Sequence, residues 1–151
     1  MERERRRLLK ESETSQAEVA RKLTRLRAVG HNSGWTLSSE PFSWRTFTNR
    51  KQVGSIAGLT GTPYDSGGGD REQGIDKAGN KRVRALAVEL AWCWLRHQPG
   101  SALSIWYQRK FGEGSKRLRK IGIVALARRL LIALWRWVDQ DVLPEGALLK
   151  V

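Results

Sequence analysis

The chain has 151 residues, which allows one domain or one domain with an arm. It carries 28 Lys and Arg against 15 Asp and Glu, a formal charge of +13, yet 40% of it is hydrophobic, so wholesale disorder is excluded. One cysteine, Cys93, excludes an internal disulfide and a Cys-based zinc site, and two distant histidines, His31 and His97, argue against a His-rich metal centre.

Residues 1–29 read as a helical, charge-laced arm. Ser15 and Glu18 have the spacing of a capping box, which predicts a helix restarting there, with Val19, Leu23 and Leu26 on one face. Such a stripe needs a partner, either another chain or a part outside this one; the alternative is a frayed tail. Gly30 is expected to end this helix as a left-handed residue, followed by a loop and a short helix start over His31 to Leu37. A glycine turn between two helices can present backbone N–H groups to a phosphate. Between Pro41 and Leu59, Asn49 caps a predicted helix over 50–57. Trp44 and Phe47 suit either a core or a base-stacking platform.

Residues 58–79 form the one long Gly-rich stretch, holding Tyr64, Asp65, Ser66, Asp70, Arg71, Glu72, Asp76 and Lys77. Loops of this length are functional or disordered. Three glycines after Ser66 permit close approach of a ligand and equally suit a flexible loop. From Asn80 the pattern becomes strongly helical. One helix is predicted to about His97, with Val83, Leu86, Leu90 and Trp94 on one face, broken by Pro99 and Gly100. A second runs from Ser101 to about Phe111, with Leu103, Trp106 and Tyr107 inward. Ser115 opens a long basic helix to about Asp139, carrying Ile121, Val124, Leu131, Leu134, Trp135 and Val138. Pro144 and Gly146 then start a short tail. No repeat and no period-2 strand stands out, so the fold class is mainly α, a helical arm followed by a compact helical domain over 30–150.

The charge calls for a polyanionic partner, and a phosphate backbone is the strongest general candidate, ahead of an anionic membrane surface. The N-terminus lacks the apolar core of a signal peptide, and Arg128, Arg129 and Arg136 make membrane insertion of residues 121–138 costly. An intracellular protein with no membrane partner is expected. Ser66 is a candidate nucleophile, and Arg71, Lys77, Lys81, Arg82 and Arg84, all within the next eighteen positions, are candidate phosphate ligands.

The string Gly58-Leu59-Thr60-Gly61-Thr62-Pro63-Tyr64-Asp65-Ser66-Gly67 resembles the serine-containing motif of a bacterial insertion-sequence transposase family, the DEDD or bridge-RNA-guided recombinases. So does Glu72-Gln73-Gly74-Ile75-Asp76-Lys77-Ala78-Gly79-Asn80-Lys81-Arg82-Val83-Arg84. Residues 89–96 look like the family's core helix and residues 123–135 like its last helix. The resemblance covers about residues 15 to 150, and the ordered string of segments is more specific than any one motif. It implies an N-terminal RuvC-like domain with magnesium-binding carboxylates, a serine that becomes covalently linked to DNA, a guide RNA, and assembly into a homo-oligomer or association with a full-length transposase. The matching serine is Ser66. The chain starts in the helical arm, so the RuvC-like domain and its magnesium are expected outside it, and no cofactor is expected within it. Asp65, Asp70, Glu72 and Asp76 belong to the serine stretch and are not assigned to the carboxylate set. The turn Val29-Gly30-His31-Asn32 departs from the Gly-Ile-Gly hairpin usual in the family, which puts phosphate binding there in doubt. The expected function is that of a transposase fragment working on bacterial DNA in the cytoplasm, at the nucleoid. The alternative is a non-catalytic basic nucleic-acid-binding module or an inactive transposase remnant.

Overall fold

The computed structural model describes residues 2–4, 15–39 and 81–150. Among the described residues, the named α-helices in chain order are α1 Ser15–Thr24, α2 His31–Leu37, α3 Lys81–His97, α4 Ala102–Tyr107 and α5 Lys116–Gln140. A π-helical turn, Gln108–Gly112, follows α4 directly. The fold is mainly α as expected; the sole β feature among the described residues is an isolated antiparallel bridge between Leu26 and Leu149.

The core forms where α3 lies along α5, with α1 and α2 packed on them. Val83, Ala87, Leu90, Ala91 and Trp94 of α3 are buried at helical spacing, facing Leu126, Ala127, Leu130, Leu131 and Leu134 of α5. Ala17, Ala20 and Leu23 make the matching stripe on α1. Gly34 of α2 lets α1 and α2 touch: a Cβ there would lie 2.7 Å from Thr24 Cγ2 and 3.2 Å from the Ala20 carbonyl. The α1 helix thus finds a partner inside this chain, and a frayed end does not describe residues 15–29. Leu23, Leu26 and Val29 belong to the same core as α3 and α5.

Several other expectations are corrected. Helix α1 stops at Thr24, and the left-handed residue is Ala28 (φ 87°), while Gly30 is extended (φ −88°) and caps α2. Helix α2 begins at His31 without an intervening loop. The helix from Ser101 changes to π geometry at Gln108 and does not run on as α to Phe111. Ile121 and Val124 stand exposed because α5 meets the core with Gly122, Ile123, Leu126 and Ala127 over that stretch. The predicted helix over 50–57, Asn80 and the whole Gly-rich stretch lie outside the described residues.

The C-terminal segment is built into the fold. Asp141, in a left-handed conformation, ends α5 with its N–H donated to the Arg136 carbonyl. The chain then returns alongside the turn after α1. The Arg27 N–H donates to Leu148 O (3.1 Å) and the Lys150 N–H to Arg25 O (2.7 Å). Buried Gln98, between α3 and α4, ties both strands of this crossing. Its Nε2 donates to Arg27 O and Leu148 O, and its Oε1 accepts from the Leu148 N–H. Lys150 Nζ donates to Val29 O, and burial pulls its pKa below the usual lysine value. Trp137 fastens α1 to the end of α5: its Nε1 donates to Lys22 O, and Lys22 and Arg25 lie over its ring. Lys22 also pairs with Asp141.

Candidate nucleic-acid interface

Basic side chains gather at two places on α5. Its opening turn is capped by Ser115, whose Oγ accepts from the Leu118 N–H, and carries Lys116, Arg117, Arg119 and Lys120, all exposed. No acidic residue stands in that turn. A shallow depression there is lined by Lys116, Arg117, Lys120, Ile121 and Val124, so cations and exposed aliphatic surface share one patch.

The second place lies further along α5. A cleft of about 520 Å³ opens between α5, the start of α4 and the C-terminal segment. Arg128, Arg129 and Arg136 line it, with Leu103 and Ile132 on its apolar walls and Glu145 as its one carboxylate. The Arg129 guanidinium lies 4.2 Å from the ring centroid of Trp106, and Lys110 Nζ is 5.7 Å from the same ring. Trp106 in turn meets Phe111 edge-on at 5.6 Å. The π turn exposes Arg109 and Lys110, which line the neighbouring depression with Ala102, Ile105 and Trp106. Arg128 Nε is buried and has no hydrogen-bond partner.

Of the residues picked out from sequence, Lys81 and Arg82 are exposed on the first turn of α3 and Arg84 is half-buried beside them. They share one helix start, with no acidic residue in that turn. Ser66, Arg71 and Lys77 lie outside the described residues. Among the described residues no group of three or more His, Cys, Asp and Glu converges as metal ligands. These residues do not fit a divalent cation. No helix among them is long and apolar enough to cross a membrane.

In the sequence alone, Arg128, Arg129 and Arg136 stand out only as obstacles to membrane insertion. The overlooked signal was their spacing: Arg129 and Arg136 are seven residues apart, two turns along one side of a helix. Trp106 as their support could not be read without knowing that α4 meets α5.

No solved structure matches the chain. It is 47% identical over 129 residues to a protein of Sinorhizobium fredii (strain NBRC 101917 / NGR234) that carries the name transposase y4rJ. That match takes in 85% of this chain and 32% of the relative, so the chain spans about a third of the relative's length. Residues 20–106, which hold α2, α3, the start of α4 and the serine stretch, match the family described as Transposase IS116/IS110/IS902. The chain belongs to the IS116/IS110/IS902 transposase family.

Proposed function

We propose that this chain is the serine-bearing part of a transposase, which grips DNA through its basic helices and supplies Ser66 as nucleophile. The observation that carries this is the family match spanning the serine stretch; in support, α3 and α5 both open with basic residues and no acid in the first turn. Ser66 Oγ attacks the phosphorus of a phosphodiester. A Ser–O–P bond forms, the bond to the strand's leaving oxygen breaks, and that oxygen departs as a hydroxyl. The covalent link keeps the energy of the phosphodiester for rejoining. Arg71, Lys77, Lys81, Arg82 and Arg84 hold the non-bridging oxygens, whose charge grows in the transition state. A RuvC-like domain and a guide RNA, implied by the resemblance, come from outside this chain, and so does the magnesium they bring. The working assembly is an oligomer at the bacterial nucleoid.

Suicide DNA, from which the leaving strand diffuses away, tests the reading. The 151-residue chain is incubated with labelled substrate and a separately supplied RuvC-like domain. The expected result is a protein–DNA adduct mapped to Ser66 and lost in Ser66→Ala. An undiminished adduct in Ser66→Ala refutes the nucleophile. A wild-type chain that binds DNA in every assembly but never forms an adduct favours the second reading, a non-catalytic binding module. The exposed cation patches support that reading equally well.

A further inference from the structure

We propose that the cleft between α5 and the C-terminal segment is a separate phosphodiester-binding site, in which Arg128, Arg129 and Arg136 hold successive phosphates of one nucleic-acid strand. It rests on the reading that the chain works on nucleic acid, but it does not involve Ser66 or the residues at the start of α3.

Three observations carry it. The first is charge. Three guanidinium groups face one carboxylate, Glu145, which is exposed to solvent. Arginine presents a fork that matches paired phosphate oxygens, and it is less strongly hydrated than lysine, so it suits a partly enclosed site. The second is an unmet hydrogen bond. Arg128 Nε is buried without an acceptor, which is costly in a finished interior. Arg128 lines the cleft, so a turn of its side chain brings that N–H to a phosphate bound there, the acceptor it lacks. The third is preorganisation. Arg129 is laid against Trp106, and the Phe111 ring braces Trp106 from its edge, so the guanidinium loses less freedom on binding.

Length decides between a polymer and a small anion. Arg128 and Arg136 are eight residues apart, so their α-carbons are separated by ~12 Å along the helix. A nucleic-acid strand advances ~3.4 Å per phosphate along its axis. The row therefore outreaches any single phosphate and fits several in succession. Lys110 and Arg109 on the π turn extend it beyond Trp106. A concave cleft lined by arginines suits a protruding strand better than a flat layer of lipid headgroups. DNA and RNA share this backbone chemistry, and the test separates them.

The 151-residue chain is titrated with a duplex DNA and, separately, with an RNA hairpin, by fluorescence anisotropy between 50 and 200 mM salt. The triple variant Arg128→Gln/Arg129→Gln/Arg136→Gln is compared with wild type. Losing three contacts lowers the slope of log K against log salt by about 2.7 for duplex DNA. The wild-type advantage then shrinks about 40-fold across that salt range. Arg128 is half-buried, so the double variant Arg129→Gln/Arg136→Gln, which alters only exposed groups, guards against misfolding and should lower the slope by about 1.8. A slope change with DNA alone, RNA alone or both names the strand that occupies the cleft. A wild-type slope in the folded double variant, with both nucleic acids, overturns the proposal. So does loss of flotation with phosphatidylserine vesicles in the variants while nucleic-acid slopes stay unchanged. The adduct experiment reads Ser66 and the salt slope reads the cleft, so a failed adduct experiment leaves this result standing, and a failed slope experiment leaves the nucleophile standing.

Discussion

Replacing Gln98 with Ala tests whether the C-terminal segment is part of the fold or merely rests on it. The side chain is 1% exposed and makes three hydrogen bonds, two as donor to Arg27 O and Leu148 O and one as acceptor from the Leu148 N–H. At a net contribution of about 1 kcal/mol for each bond, their loss destabilises the protein by about 3 kcal/mol. Two facts pull that figure in opposite directions. Leu148 O keeps a second donor, the Arg27 N–H, which softens the loss. The Leu148 N–H is left without its acceptor and truncation opens a cavity, which deepens it. For a chain of this size each kcal/mol lowers Tm by about 2–4 °C, so a fall of roughly 6–12 °C is expected. Thermal unfolding followed by circular dichroism reads the global loss, and hydrogen exchange at the Leu148 and Lys150 amides reads the crossing itself. A Tm within 2 °C of wild type, with the Leu148 amide still protected, refutes the clamp.

Three further outcomes follow from particular contacts. Gly122→Ala places a Cβ 2.6 Å from Phe111 Cδ2, so Phe111 must leave its place against Trp106 and Tyr107; urea unfolding should show a loss of about 1–3 kcal/mol. Burial raises the pKa of Tyr107 above 10.0, opposed by the nearby Arg119, so the phenol stays protonated in the fold at a pH where it ionises in the unfolded chain. Its stabilisation is complete below pH 10 and declines as pH rises through the raised value, and Tyr107→Phe should flatten that decline in alkaline unfolding curves. Lys116→Glu/Arg117→Glu should raise the stability of the free chain by about 0.3–1 kcal/mol per site at low salt while weakening DNA binding in the same buffer.

The parts of the fold that were legible in sequence are those set by local chemistry. Ser101 and Ser115 were placed at helix starts, and both side chains accept from the N–H three residues on. The α3 stripe of Val83, Leu90 and Trp94 follows from spacing alone and is buried. What was not legible depends on where a helix meets its neighbour. Ile121 and Val124 look like core residues in a one-dimensional pattern, but α5 turns a different side inward at Gly122 and Ile123. Ala28 takes the left-handed conformation that glycine usually fills, one residue pair ahead of Gly30. The tail after Pro144 carries no periodicity, because Gln98, fifty residues earlier, holds it through backbone groups. The cleft was hidden for the same reason: its arginines lie on one helix, but its walls come from α4 and from the segment after α5.

Helices α3 and α5, the two longest among the described residues, share an anomaly that bears on function. A helix N-terminus carries partial positive charge, and acidic side chains belong there. Helix α3 opens with Lys81, Arg82 and Arg84, and α5 with Lys116, Arg117, Arg119 and Lys120; neither has an acid in its first turn. The short helix α1, seated in the core, obeys the rule, with Glu18 in its first turn and Arg21 and Lys22 in its last. A sequence able to place charges correctly on α1 therefore places them against the dipole on α3 and α5. Each misplaced cation costs the free protein a few tenths of a kcal/mol or more, and local rules of this kind are broken where function requires it. The cost reverses when an anion arrives, because the dipole and the side chains then attract the same phosphate. Helix α3 has the further property that its first turn lies immediately after the serine stretch in sequence. The charge that destabilises that turn in isolation is the charge it offers to an arriving phosphate.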